Sequence, residues 1–167
     1  NLDPDLTSKT PQAVENDIDE KITSFATSNL KSFNKVFRRS NLLTEIDDLD
    51  EAILNSRMEV KLQQRFTPSA GQSLSYDINF PVTIAQPDDE NRRVTSGRFT
   101  FNSVICTIRN KLSSTKLEIV DIDGNIQQDN VGSYNPVKGT VNLVGLNPTS
   151  VEGGTVLKIS VVPTNQS

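Results

Sequence analysis

The chain has 167 residues, enough for one domain with its own core, and a formal net charge of −4. Acidic character argues against broad nucleic-acid binding, which usually requires a basic face. Arg38-Arg39 and Arg92-Arg93 are isolated pairs, and we expect them to be solvated or ion-paired. No apolar run approaches the ~20 residues that cross a bilayer, so the sequence predicts no membrane partner.

Catalytic and metal-binding motifs are missing from the sequence. The chain contains no histidine and a single cysteine, which removes Ser-His-Asp and Cys-His pairs and any zinc site. Cys106 stands in an apolar run and is expected to be a small buried side chain. No glycine-rich phosphate loop is present. We therefore expect no enzyme, no cofactor, no metal and no small-molecule substrate.

Two acidic segments are candidate cation sites. The cluster Asp47, Asp48, Asp50 and Glu51 could hold Ca²⁺ or Mg²⁺, but a solvated helix end or a patch that faces a basic partner is favoured. The segment 121–125 (DIDGN) has the wrong spacing for a calcium loop and predicts a hairpin turn. An enzyme that used carboxylates alone is a minor alternative.

Two helices are predicted at the N-terminal end. Thr10-Pro11 is a helix start, with Thr as N-cap and Pro at the first helical position. One apolar stripe follows at helical spacing, formed by Val14, Ile18, Ile22 and Phe25. The apolar spacing continues through Leu30, Phe33 and Phe37, so the sequence does not determine where this helix ends. Ser40 is the expected N-cap of a shorter helix with Leu42, Leu43, Ile46 and Leu49 on its buried side, and the carboxylates after it mark the helix exit.

Strands are predicted from residue 58 onward. Met58, Val60 and Leu62 alternate with polar residues, as in a half-buried strand. A turn at 68–72 leads to a second alternating strand, which carries Leu74, Tyr76, Ile78 and Phe80. Pro81 should end this strand or place it at a sheet edge.

The C-terminal half is predicted to be a charged loop followed by short strands. Residues 86–97 lack an apolar period and indicate the loop. Strand-like runs follow at 98–109, 117–122, 140–146 and 155–162, separated by turns at 123–124, 135–139, 147–148 and 153–154. Many solvent-facing strand positions are uncharged and polar, which suits either a protein contact or a plain outer face.

These elements predict an α+β fold, with N-terminal helices followed by an antiparallel sheet or sandwich. The expected organisation is a linker or arm at 1–9, a helical segment at 10–57 and a β-rich domain at 58–167. The absence of an initial Met and the lean core suggest a piece of a longer polypeptide that gains stability from partners.

Several segments together carry a family resemblance. They are NDIDEKI (16–22), SNLLTEIDDLDEAI (40–53), the strand MEVKLQQRF (58–66) before Thr67-Pro68, and a turn and strand at 131–141 followed by VLKISVVP. This pattern resembles the baseplate J-like wedge proteins of T4-type contractile-tailed bacteriophages. The likeness spans most of the chain and is strongest from Asp17 to Pro68.

The resemblance implies a late structural protein of the virion, located in the tail baseplate and assembled in the host bacterial cytoplasm. It implies a homo-oligomer, first of all a dimer, that joins other wedge proteins into the ring around the central hub. The interface residues suggested under this reading are Phe33, Phe37, Leu42, Leu43, Val14, Ile18, Ile22 and Phe25; the same residues could instead pack on the chain's own sheet. The alternative function is a β-rich module of a phage tail that binds a receptor or carbohydrate, although aromatic residues are few.

Overall fold

The computed structural model describes residues 6–29, 39–54 and 59–164. The chain divides into a smaller unit that ends at Glu59 and a larger unit that begins at Val60. The boundaries predicted after residues 9 and 57 stay predictions, and the second of them lies outside the described ranges. Each unit is described separately below.

The first helix begins where the sequence predicts. Helix α1 spans Pro11–Asn29, and Thr10 caps it because the Ala13 amide donates to Thr10 Oγ1 at 3.3 Å. The amides of Ala13 and Val14 also donate to the Thr10 carbonyl. Proline at the first helical position loses no hydrogen bond, since that amide would have no partner in the helix. The possible extension through Leu30, Phe33 and Phe37 lies outside the described residues.

The second helix begins earlier than predicted. Helix α2 spans Arg39–Asp47, so the assignment of Ser40 as its N-cap is wrong. Ser40 lies inside the helix, where its carbonyl oxygen accepts a hydrogen bond from Thr44 Oγ1 at 3.0 Å. The predicted exit at the carboxylates is confirmed, since the helix ends at Asp47 and a turn follows.

Within the described ranges, neither helix combines the length and the apolar character that a bilayer span requires.

The larger unit is a single antiparallel sheet. Its hydrogen-bonded order is β1-β10-β3-β5-β6-β7-β8-β2, and the short strands β4 and β9 pair with each other beside β5. Two helices followed by this sheet agree in broad terms with the α+β expectation. The ten strands of the described residues are β1 (Leu62–Phe66), β2 (Leu74–Asn79), β3 (Val94–Ser96), β4 (Phe99–Phe101), β5 (Val104–Asn110), β6 (Lys116–Asp121), β7 (Ile126–Asn135), β8 (Thr140–Leu146), β9 (Ser150–Val151) and β10 (Leu157–Val161).

The first two strands confirm the predicted alternation with small shifts. β1 starts at Leu62, later than the expected start at Met58, which lies outside the described residues. β2 buries Ile78 and half-buries Tyr76, but its first residue, Leu74, is exposed. The strand ends before Pro81 and forms an edge of the sheet, as the proline predicts.

The predicted charged loop at 86–97 is wrong at its C-terminal end, because Val94–Ser96 forms β3 between β10 and β5. Sequence periodicity could not show this strand, since Val94 is its only apolar residue. Its position depends on Asn110, a fully buried side chain. Asn110 Oδ1 accepts hydrogen bonds from the amides of Arg93 at 2.6 Å and Val94 at 3.0 Å, where the side chain replaces a backbone partner.

The run at 98–109 is a hairpin. β4 and β5 are joined by Asn102 and Ser103, whose φ angles are 49° and 66°. Two consecutive positive φ values are typical of a type I′ turn, which matches the twist of a hairpin. Asn-Ser is a weaker signal for this turn than Asn-Gly, so the sequence did not predict the turn. The predicted turns at 123–124 and 135–139 are confirmed between β6, β7 and β8.

The sheet curls around one apolar core. The rings of Phe66 on β1 and Tyr76 on β2 lie with centroids 4.8 Å apart, so the two ends of the strand order approach each other. The core residues of this unit come from β2 to β8, β10 and the segments between them. Both ends of the strand order therefore contribute to closing the same core.

Candidate interaction surfaces

The predicted stripe of α1 mostly faces the second helix. Val14 and Phe25 are buried, and Ile18 is partly buried against the same cluster. Ile22 is exposed to 39%, so this position of the stripe is open to solvent within the chain. An intersubunit role for these four residues stays a prediction.

The second group of predicted interface residues is only partly described. Leu42 is buried in the smaller unit together with Ile46 and Ile53, and Leu43 is half-buried. Phe33 and Phe37 lie outside the described residues. The cluster gives Leu42 a clear packing role, and its part in subunit contact stays a prediction.

A polar network joins the segment before α1 to the exit of α2. Asp50 Oδ2 accepts a hydrogen bond from Thr7 Oγ1 at 3.0 Å and lies 3.7 Å from Lys9 Nζ. Asp50 Oδ1 accepts the Ala52 amide at 3.0 Å. Lys9 Nζ also contacts Asp17 at 2.7 Å. The carboxylate of Asp50 therefore joins the segment before α1 to the turn after α2, and Lys9 extends the network to α1 through Asp17.

The same contacts shift two pKa values. The Ala52 amide, followed by Thr7 and Lys9, lowers the pKa of Asp50 despite an opposing effect of desolvation. The hydrogen bond to Asp17 and the charge of Asp17 raise the pKa of Lys9, with a smaller contribution from Asp50. Both shifts favour the charged forms, so this network is strongest near neutral pH.

The other carboxylates of the acidic cluster are free. Asp47, Asp48 and Glu51 are exposed and have no ion-pair partner among the described residues. No group of three or more acidic or Cys side chains that could hold a metal was found in the described ranges. The cluster presents negative charge to its surroundings.

Cys106 lies in the core of the larger unit, as the apolar run predicts. Burial raises the pKa of its thiol, and the charge of Asp121 adds to this effect. A buried thiol with a raised pKa is a poor nucleophile, because the reactive form is the thiolate.

The DIDGN segment is a hairpin turn, as predicted. Asp121 Oδ1 accepts the amides of Asp123 at 3.0 Å and Asn125 at 2.8 Å, and Oδ2 accepts the side-chain amides of Asn125 and Gln127. The Asn125 side chain is the largest cause of the lowered pKa of Asp121. Both carboxylate oxygens are thus used inside the turn.

The sequence did not predict an arginine–glutamate cluster on the sheet. Glu118 on β6 is buried, with 4% of its surface exposed. Its Oε1 atom accepts a hydrogen bond from Arg109 Nε at 2.9 Å and lies 3.9 Å from Arg92 Nη1. A sequence signal for a buried charge existed, since Glu118 is the one charged residue in the otherwise apolar run LEIV. The neighbouring Arg93 pairs with Asp88, so both arginines of the 92–93 pair are ion-paired, as expected.

Comparison with known proteins supports a structural role. Residues 3–65 match a family model described as "Baseplate structural protein gp6, C-terminal domain III". The matched range covers less than half of the chain and includes the described part of the smaller unit and the start of β1. No curated protein matches the chain. The family match supports a structural protein of the phage baseplate, located in the virion tail and associated with other baseplate proteins.

Proposed function

We propose that the chain is a structural subunit of a baseplate wedge that assembles through protein contacts into the ring around the central hub. The observation that carries this proposal is the family match over residues 3–65. We further propose the J-like wedge identity, a dimer as the first assembly step and assembly in the host cytoplasm before the subunit joins the virion.

The proposed role requires no catalysis. Glu118 accepts a hydrogen bond from Arg109, Asp121 accepts hydrogen bonds from its own turn, and Asp50 accepts one from Thr7 in the N-terminal segment. Every buried side-chain nitrogen and oxygen of the described residues has a hydrogen-bond partner. Catalytic groups are usually poised for a substrate rather than fully used in internal contacts, so these groups favour a scaffold over an enzyme.

The alternative of a carbohydrate-binding module gains little support. Sugar recognition usually relies on exposed aromatic rings that stack on the sugar. Tyr134 is buried and donates to the Ala85 carbonyl at 3.3 Å, whereas Tyr76 is half-buried and accepts the Ser69 amide. The described aromatic side chains are all buried or half-buried.

The first test is the mass of the chain in solution, measured by size exclusion with light scattering over a concentration series. We expect a dimer or larger species whose fraction rises with concentration. The second arm is co-purification with the other wedge proteins of the same phage. A chain that stays monomeric at every concentration and binds no wedge protein would overturn the proposal, and glycan screening would then become the next experiment.

A further inference from the structure

A basic pocket opens on the outer face of the larger unit. Its volume is about 390 Å³, and it lies over β3, β5, β6 and the β6–β7 turn. Arg92, Arg98 and Arg109 line it, together with the hydroxyl-bearing side chains of Thr95 and Thr107. Guanidinium groups beside hydroxyls are suited to an acidic group, which they can bind through several hydrogen bonds.

Three arginines and one carboxylate, that of Asp121, line the pocket, and both oxygens of Asp121 already accept hydrogen bonds inside the β6–β7 turn. Arg92 and Arg109 share the single carboxylate of Glu118. Desolvation, and after it the charge of Arg109, lower the pKa of Arg92, while Glu118 opposes this shift; two guanidinium groups on one carboxylate repel each other as like charges do. Among the residues that the structure describes, the Arg98 side chain has one ion-pair partner, the exposed Glu152 at 4.0 Å. One more carboxylate in the pocket would therefore relieve repulsion.

Apolar side chains flank the arginines. Ile122 lines the pocket and is exposed to 68%. Ile105 is exposed to 44% and stands two residues before Thr107 on β5, hence on the same face of the sheet. A free inorganic anion would leave these side chains in water. A protein segment with a carboxylate next to an apolar residue would use both parts of the surface.

The smaller unit carries a segment of matching chemistry. Asp47, Asp48 and Glu51 are exposed and unpaired in the described structure, and Leu54 is exposed to 58%. The charge of the whole chain is divided in the same sense. Residues 1–59 contain seven Lys and Arg and twelve Asp and Glu. Residues 60–167 contain ten Lys and Arg and nine Asp and Glu. The helical part therefore has a net charge of −5 and the sheet part +1.

We infer that the arginine pocket binds the acidic exit of α2 from a second copy of the chain. The carboxylates of Asp48 and Glu51 would face Arg98 and Arg92, and Leu54 would contact the exposed isoleucines. This inference rests on the proposed function, since it assigns residues to a contact between subunits. It differs from the apolar interface predicted from the sequence, because the contact is charged and joins unlike surfaces.

The test is a charge reversal on each side of the contact, followed by self-association measurements. Arg98→Glu changes an exposed residue and leaves the Glu118 pairs in place. Asp48→Lys/Glu51→Lys reverses the acidic segment. Each variant alone should weaken self-association by about tenfold, because like charges then face each other. High salt should weaken the parent contact as well.

Mixing identifies the contact as intermolecular. The two variants combined in one solution should form a heterodimer more tightly than either associates with itself, since one copy then offers a basic segment and the other an acidic pocket. Lys138→Glu and Asp19→Lys/Glu20→Lys are matched controls, with the same charge changes at exposed sites elsewhere. Both controls should associate like the parent.

Four results would overturn the inference. If the control variants weaken self-association as much as the test variants, the effect is a general one of charge. If self-association is unchanged in both test variants, the dimer contact lies elsewhere and the proposed function stays intact. Inorganic phosphate that binds in an Arg98-dependent way without reducing self-association would make the pocket a site for small anions. A parent chain that is strictly monomeric and ignores wedge proteins would remove the proposed function as well.

Discussion

The two units are stabilised in different ways. The smaller unit has a core cluster of Val14, Phe25, Leu42, Ile46 and Ile53 and a partly exposed polar network around Asp50. The larger unit surrounds one core with a curled sheet, and its strands meet residues far away in sequence, as in the pairing of β1 with β10. Small clusters bury little apolar area, so we expect lower intrinsic stability in the smaller unit. A less stable unit is well suited to gaining order from a neighbour.

The largest expected effect comes from a close backbone approach in the larger unit. Gly132 has φ +131°, and a Cβ there would collide with the Asn142 carbonyl oxygen on the neighbouring strand. Gly132→Ala should therefore cost about 4 kcal/mol or more and disrupt the β7–β8 pairing. Gly124→Ala is the control, because Gly124 also has positive φ but open space around it; strain alone costs about 1–2 kcal/mol. Urea unfolding measures both, and equal losses would contradict the clash.

The buried carboxylate of the sheet gives the next effect. Glu118→Gln removes the charge that Arg92 and Arg109 share, and breaking one side of a buried ion pair costs about 3 kcal/mol. Glu152→Gln removes the partner of Arg98 at the exposed pair and should cost below about 0.5 kcal/mol. The two variants make the same chemical change, but Glu118 is buried between two arginines and Glu152 is exposed beside one. Thermal unfolding that gives equal losses for both would show that water reaches Glu118 freely.

Sequence reasoning succeeded in this protein at most places where the pattern was local and periodic, although it put the N-cap of α2 at Ser40, which lies inside the helix. The cap at Thr10, the alternation of β2 and the turn at 135–139 each depend on neighbouring residues. It failed at β3, because that strand is held by Asn110, whose partners are 16 and 17 residues away. The arginine pocket was missed for the same reason. Arg92, Arg109 and Glu118 meet only after β3, β5 and β6 are aligned in the sheet.

Alkaline titration probes the core of the larger unit. Burial raises the pKa of Tyr134 to about 12, from an ordinary value near ~10. A raised folded-state pKa means that the stabilisation is complete below about pH 10 and is lost as pH rises towards about 12. Over this pH range the free energy of unfolding of the parent should fall by about 2–3 kcal/mol.

The matched variant for this titration is Tyr134→Phe. It should lose about 1 kcal/mol at neutral pH, from the hydrogen bond to the Ala85 carbonyl, and should lack the alkaline decline that belongs to this group. Tyr76→Phe serves as the control, since Tyr76 is only half-buried. Unfolding by urea at several pH values measures the effect, and an identical pH dependence in parent and Tyr134→Phe would refute it.

Truncation of the small core tests whether the units differ in stability. Leu42→Ala should cost about 2 kcal/mol, at the low end for a buried leucine, because so small a cluster can collapse around the gap. Hydrogen exchange followed by mass spectrometry should show faster exchange in α1 and α2 and unchanged exchange in β5–β8. Val137→Ala, at an exposed position outside the proposed contacts, is the control and should change neither unit. Faster exchange throughout the sheet would contradict the separate stability of the two units.

The smallest expected effect concerns the polar network of the smaller unit. Asp50→Asn keeps the shape of the side chain but removes the charge that Lys9 contacts, so α1 and the exit of α2 should open more readily near neutral pH. Because the pKa of Asp50 is lowered in the folded chain, its contribution is present above about pH 4 and is lost as pH falls further. Parent and variant should therefore have the same exchange rates in strong acid.

Asp47→Asn, whose carboxylate has no partner among the described residues, should match the parent throughout. Amide exchange of residues 11–29 measures the difference, and a gap between parent and Asp50→Asn that persists at low pH would assign the effect to packing rather than to charge.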